Sequence, residues 1–157
     1  MSKLSVIRSI SNYYTISLIV YSALLSLLLS MGYLVTPVLF ASLSSKLAGF
    51  IAGFLFSISG YILVVTLLLL MVWRLSVRRV AFSVIFDSIS LLLMGILLWL
   101  VAPWMAEIKA KYPKGLDDTA ADWSLFASLH GVYQLGYLIV IIMLILSIFK
   151  TLKVMKA

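Results

Sequence analysis

Three kinds of side chain in this sequence could do chemistry. The first is His130, in Leu129-His130-Gly131-Val132-Tyr133-Gln134, deep in an apolar run with Tyr133 and Gln134 one turn away. An imidazole can carry a proton near neutral pH or bind a metal through either nitrogen. The second is Asp87, which interrupts another apolar run. Carboxylates inside membrane spans face the bundle interior or a water-filled cavity and mark ion or proton pathways. The third is the methionine set. Met31 and Met105, with Met94 nearby, would join His130 in a soft thioether and imidazole ligand set suited to a metal ion such as copper, as Cu(I).

Each has a plainer role beside it. His130 can be a neutral hydrogen-bonding link between helices. Asp87 can pair with a serine or tyrosine, or with Arg78 or Arg79 reaching back from the neighbouring turn. Methionine is a common filler of apolar cores, which leaves no metal at all. At a rise of about 1.5 Å per residue, His130 and Asp87 each lie about 12 Å in from opposite edges. A hydrocarbon core about 30 Å thick then leaves only a few ångströms of depth between them. Their helices are consecutive, so an Asp87–His130 pair is geometrically open, either as a relay or to set the histidine tautomer.

Other chemistries are excluded by counting. There is no cysteine and one histidine, so thiolate sites, a bis-histidine haem within one chain and a three-histidine zinc site are out. No Gly-x-Ser-x-Gly elbow or phosphate-cradling glycine loop occurs, and an enzyme is the less favoured class.

The elements that position these residues are membrane helices. Of 157 residues, 64% are hydrophobic and 11% charged, with mean hydropathy +1.22. A soluble domain is about 25% charged, and a chain this short could not hide so much apolar surface. The expected fold is an all-α integral membrane protein, a bundle of four transmembrane helices in one domain. The apolar runs place the spans at 13–35, 47–73, 80–102 and 123–149, with an outer loop at 103–122. The first span follows Lys3 and Arg8 without a small-residue cleavage site and reads as an uncleaved signal anchor. Pro37 is expected to end or kink it. Gly49 and Gly53, continued by Ser57, form a small-residue ridge in the second span. Such ridges let helix backbones approach closely, within the chain or in a homo-oligomer or with a membrane partner protein. Ala48 and Ala52 run parallel to it, and Gly131 thins the fourth span beside His130. In the outer loop, Glu107 and Lys111 are one turn apart and able to pair, and Asp122 is placed near the N-terminus of the fourth span as a cap or a dipole partner.

The net charge is +7. Eight basic residues (Lys3, Arg8, Arg74, Arg78, Arg79, Lys150, Lys153, Lys156) fall on the side of the termini and four (Lys46, Lys109, Lys111, Lys114) on the other. The positive-inside rule puts both termini in the cytoplasm. The basic residues then meet lipid head groups, and no nucleic-acid partner is implied.

The ordered set Gly32, Pro37-Val38-Leu39-Phe40, Leu43, Ala48-Gly49, Gly53, Leu55-Phe56, Arg79 with Ala81, Pro103-Trp104-Met105 and Phe126-x-x-Leu129-His130-Gly131 resembles the transmembrane protein 205-like family. That family consists of four-span proteins with many bacterial members of unknown function. The resemblance covers roughly residues 20–149. It implies a four-helix membrane protein in a bacterial cytoplasmic (inner) membrane, with Pro37, Phe40 and His130 as shared positions. It also implies the handling or export of soft metals, through an animal member linked to resistance to platinum drugs. Asp87 has no counterpart in the motif set. The expected function is transport or tolerance of a soft metal ion or small molecule; the alternative is a non-enzymatic packing subunit or assembly factor.

Overall fold

The computed structural model describes residues 3–76, 84–113 and 115–156, with side chains from Ile10 onward. The turn carrying Arg78 and Arg79, the expected first residues of the third span (Val80 to Ser83) and Lys114 lie outside the described residues, as do the side chains of Lys3 and Arg8. The described chain is helical, and four of its helices are long and apolar enough to cross a membrane: Ile10–Ser42, Ser45–Ser76, Val84–Ala110 and Trp123–Met155.

The first span is α1 (Lys3–Leu29), a π-helical turn (Ser30–Val35) and α2 (Thr36–Ser42) in succession. The second is α3 (Ser45–Ser76). The third is α4 (Val84–Ile96), a second π-helical turn (Leu97–Val101) and α5 (Ala102–Ala110). The fourth is α6 (Trp123–Met155).

Pro37 does not end the first span, which continues to Ser42. Likewise Pro103 does not end the third, so residues 103–110 of the expected outer loop are helix and the non-helical connection begins after Ala110. Both prolines follow a π turn. A proline ring in an α-helix clashes with the carbonyl four residues back. In both turns the backbone bonds reach back five residues instead: Thr36 N–H donates to the Met31 carbonyl and Ala102 N–H to that of Leu97. The widened turn gives the ring its room, and the span survives.

The bundle is apolar outside as well as inside, as lipid requires. Phe50, Phe54, Leu69, Leu92, Trp99 and Phe149 all point outward. Each span also has one buried stripe at three- and four-residue spacing. In α1 it is Tyr13, Ser17, Tyr21, Leu24 and Leu28; in α6 it is Tyr133, Tyr137, Val140, Leu144, Ser147 and Thr151. In lipid the helices are held by close packing and polar links rather than by expulsion of water. Close packing occurs at Gly60, where an added Cβ would lie 2.9 Å from Leu98, and at Gly136, where it would lie 3.0 Å from Leu97.

The expected glycine seam is different. Gly53 is exposed with nothing within 4 Å of an added Cβ, Gly131 is likewise open, and Gly49 meets only Phe40, at 3.9 Å. Ser57 bonds back to the Gly53 carbonyl on the same helix. The buried small residues of this segment are Ala48 and Ala52. Four-residue spacing makes the two ridges neighbours on one helix, and only their neighbours in space distinguish them. The Gly49–Gly53 ridge and Gly131 therefore do not pack the bundle as the sequence suggested, except for the light contact with Phe40.

The packing contacts show the helices antiparallel. Tyr13 meets Trp73 edge-to-face at 5.1 Å, and the Tyr137 hydroxyl donates to the Leu28 carbonyl at 2.9 Å. The Tyr13, Trp73, Asp87 and Lys150 positions thus share one end, called here the tail end. Leu43–Ser44 and residues 111–113 and 115–122 form the loop end. There Lys111 pairs with Asp122 at 3.2 Å rather than being held by Glu107. The Asp122 carboxylate is taken up by Lys111 and the Tyr112 hydroxyl, so it does not cap α6 as expected.

Candidate functional site

Asp87 lies near the start of α4 and is 1% exposed. Three other helices each bring it a donor. From α3, the Arg74 guanidinium Nη2 stands 2.8 Å from Oδ2. From α1, the Tyr21 hydroxyl donates to the same oxygen at 2.9 Å. From α6, the Ser147 hydroxyl lies 3.4 Å from Oδ1. Arg74 is itself 5% exposed and spreads its donors. Its Nε donates to the Tyr13 hydroxyl at 2.9 Å, and Nη2 also reaches the Tyr21 oxygen at 3.5 Å. Its Cζ sits 5.8 Å from the Tyr13 ring centre, within cation–π range.

The sequence places these groups by simple rules. Tyr13, Ser17 and Tyr21 are four residues apart and share a face of α1. Arg74 and Asp87 lie on consecutive antiparallel helices on either side of their connection, so they come level with each other. Ser147 falls on the buried stripe of α6. One acid and one base at this depth cancel in charge, and two tyrosine hydroxyls join them, Tyr21 donating to Asp87 and Tyr13 accepting from Arg74. Removing one partner of such a pair strands a charge; removing both does not. The Ser17 hydroxyl, 1% exposed and between Tyr13 and Tyr21 on this face, is buried without a hydrogen-bond partner. The cluster can act as a latch. Any rotation or shift of one helix against the others must break a charged or hydroxyl contact at Asp87.

Of the two sources expected for Asp87's partner, tyrosine and serine are both present. The arginine is Arg74, which the sequence had offered only as a topology charge. Tyr13, at the expected start of the first span, is 1% exposed. The spacing of Tyr13, Ser17 and Tyr21 was the available signal, since a polar stripe on an otherwise apolar span has to face polar company.

His130 is placed otherwise. It is exposed, stacked on Phe126 at 6.0 Å and 9°, with its Nε2 3.1 Å from the Gln134 amide nitrogen. Lys109 Nζ lies 5.5 Å from the centre of that Phe126 ring. His130 does continue the α6 stripe, but the stripe becomes buried only at Tyr133. Beyond Leu29 the first span carries no buried residue among Ser30–Ser42. The expected interior position is therefore not found. Nor does His130 approach Asp87, whose ligands are Arg74, Tyr21 and Ser147. Tyr133 is buried against Phe56, at 6.0 Å. Met105 is part of the apolar core and Met31 is half-buried in the first π turn. Among the described residues no three His, Asp or Glu side chains gather as a metal group.

The class defined by this geometry is a helical membrane bundle with an ion pair buried among its spans. The chain belongs to the family described as domain of unknown function (DUF4149), whose model matches residues 19–114. That stretch contains Tyr21, Arg74, Asp87, Pro37 and Pro103, and ends before His130. No curated protein and no solved structure matches the chain.

Proposed function

We propose that this protein is a small transport module for an ion or small polar solute, in which the Arg74–Asp87 pair is the latch between closed and open packings. One observation carries this: the Asp87 carboxylate receives a donor from each of the other three spans. A charged pair inside a membrane is expensive, and apolar side chains of similar volume could fill the same space. A charge cluster shared by all four helices, by contrast, can register their relative positions. The two π turns lie toward the loop end of the first and third spans, and such turns recur at functional sites. In this scheme the tail end is held by the latch while the loop end moves. The excess of basic residues at the tail end supports a cytoplasmic placement for it, in a bacterial inner membrane.

The narrower soft-metal version leans on the likeness to transmembrane protein 205-like proteins and on His130 with Met31 and Met105. The geometry adds no support for it, because His130 is engaged with Phe126 and Gln134. Proteoliposome flux tests both versions. With entrapped pH-sensitive and copper-sensitive dyes, the wild type is expected to pass protons or Cu(I) faster than empty vesicles. The exchange Arg74→Asp with Asp87→Arg is expected to fold yet alter that flux. Equal flux in the wild type, the exchanged variant and empty vesicles would end the transport proposal.

A second proposal, a packing subunit or assembly factor, is favoured by the open space over Gly53. There Gly49, Gly53 and Ser57 offer a shallow face to a partner helix, including that of a second copy. Gly53→Leu would then shift the mass of the purified particle. An unchanged mass, with wild-type and variant protein both monomeric, would remove the homo-oligomer version.

A further inference from the structure

The tail end carries a feature that the latch does not use. A surface groove of about 520 Å³ runs between α4 and α6, lined by Phe86, Leu146, Phe149, Lys150, Lys153 and Val154. Its floor is apolar and its rim is basic. On α6 the lining residues recur at three- and four-residue spacing, so they share one face of the helix. Lys150 is not turned away from the groove: its Nζ lies 5.9 Å from the centre of the Phe86 ring on the opposite helix. Lys153, one turn further toward the tail end, is exposed.

Charge around the groove is one-sided. The chain has five carboxylate side chains, and Glu107, Asp117, Asp118 and Asp122 all belong to the loop end or its approach. The fifth, Asp87, is buried and neutralised by Arg74. The five carboxylate side chains of this sequence thus lie toward the loop end or inside the latch. The groove thus combines an apolar floor with two ammonium groups on its rim. Basic pockets between transmembrane helices bind anionic lipid head groups in this way.

We propose that this groove is a specific site for an anionic phospholipid, its phosphate held by Lys150 and Lys153 and one acyl chain lying on Phe86, Leu146 and Phe149. The site is separate from the latch and does not depend on the transport proposal.

The test is a titration of the full chain in neutral detergent with phosphatidylglycerol, with phosphatidylcholine of the same acyl chains, or with inorganic phosphate. Because a ligand bound only to the folded state raises the unfolding midpoint, the midpoint reports affinity. Phosphatidylglycerol is expected to stabilise and the other two are not. Each lysine near an anionic group contributes roughly a factor of five, so Lys150→Gln with Lys153→Gln should weaken the apparent affinity about thirtyfold. Lys156→Gln, outside the groove at the same end, should stay within about threefold of wild type. Three outcomes would overturn the site: equal stabilisation by phosphatidylcholine, equal stabilisation by inorganic phosphate, or a loss in Lys156→Gln as large as in the double variant. The last would show a diffuse basic surface. Both lysines are at the lipid-facing surface and outside the latch, so the variants are expected to fold with wild-type midpoints when no lipid is added.

Discussion

Breaking the Arg74–Asp87 pair from one side should hurt far more than removing it whole, and unequally from the two sides. Both side chains are nearly inaccessible, at 5% and 1% exposed. Arg74→Met leaves Asp87 charged, buried and attached by a short side chain to a helix interior. Only the Tyr21 and Ser147 hydroxyls would remain beside it, the latter at 3.4 Å. Stranding a buried charge costs about 3–5 kcal/mol, and this variant belongs at the upper end. Asp87→Leu leaves Arg74 stranded instead. Arg74 lies in the last turn of α3, two residues before Ser76, and its long stem can carry the guanidinium toward the tail end. Its loss should sit at or below the lower end, about 3 kcal/mol. The double variant, Arg74→Met with Asp87→Leu, strands no charge, and should lie within about 1–2 kcal/mol of wild type after the lost Tyr21 and Tyr13 hydrogen bonds are counted. Reversible unfolding of all four proteins in the same detergent closes the cycle. A coupling of at least about 2 kcal/mol is expected. If the two single losses simply add in the double variant, to within about 0.5 kcal/mol, the pair is not a coupled unit and the latch argument fails.

Other consequences are as direct. Gly60→Val should lower stability by about 1–3 kcal/mol, because its branches enter space held by Leu98 and Met94, whereas Gly53→Ala should leave stability unchanged or raise it by up to about 1 kcal/mol; thermal midpoints in detergent compare the two, and equal losses would contradict the packing described. Reporter fusions after Lys156 and between Asp117 and Asp118 should give cytoplasmic and non-cytoplasmic signals respectively, and the reverse pattern would overturn the charge-based orientation. At the loop end, the Thr119 hydroxyl and backbone N–H hold the Asp117 carboxyl below the ordinary carboxylate range. The charged form is the one stabilised, so Thr119→Ala should move its NMR titration midpoint up toward the ordinary value. No movement would show that the hydroxyl bond is not kept in solution.

Much of the architecture follows from one-dimensional chemistry. Apolar runs of about 20 residues must be spans, because an unpaired backbone cannot sit in hydrocarbon, and a helix satisfies its own backbone. That argument is local, and it needs only the order of residue types. It also marks Asp87 as exceptional, since a carboxylate among leucines needs a partner wherever the chain goes. The same local logic put the end of the third span too early, at Pro103, and could not choose between an end and a kink at Pro37. Whether a proline stops a helix depends on whether the preceding turn can widen, and here both turns do.

What the sequence could not decide is which neighbour each stripe would meet. In a soluble helix the polar face points to water and the apolar face to the core, so orientation is readable. In α3 almost every residue is apolar, and lipid and protein interior look alike to leucine. Hence the Gly49–Gly53 and Ala48–Ala52 ridges could not be ranked, and the alanines took the interior. The same degeneracy hid Arg74, whose position two residues from the end of α3 suits a surface charge or a buried partner equally well. Only the tertiary fold brings Asp87, Tyr21 and Tyr13 within its reach. His130 shows the converse: its polarity argued for the interior, but it lies on an exposed face of α6, and Gln134 on its own helix supplies the bond that its depth seemed to require of another.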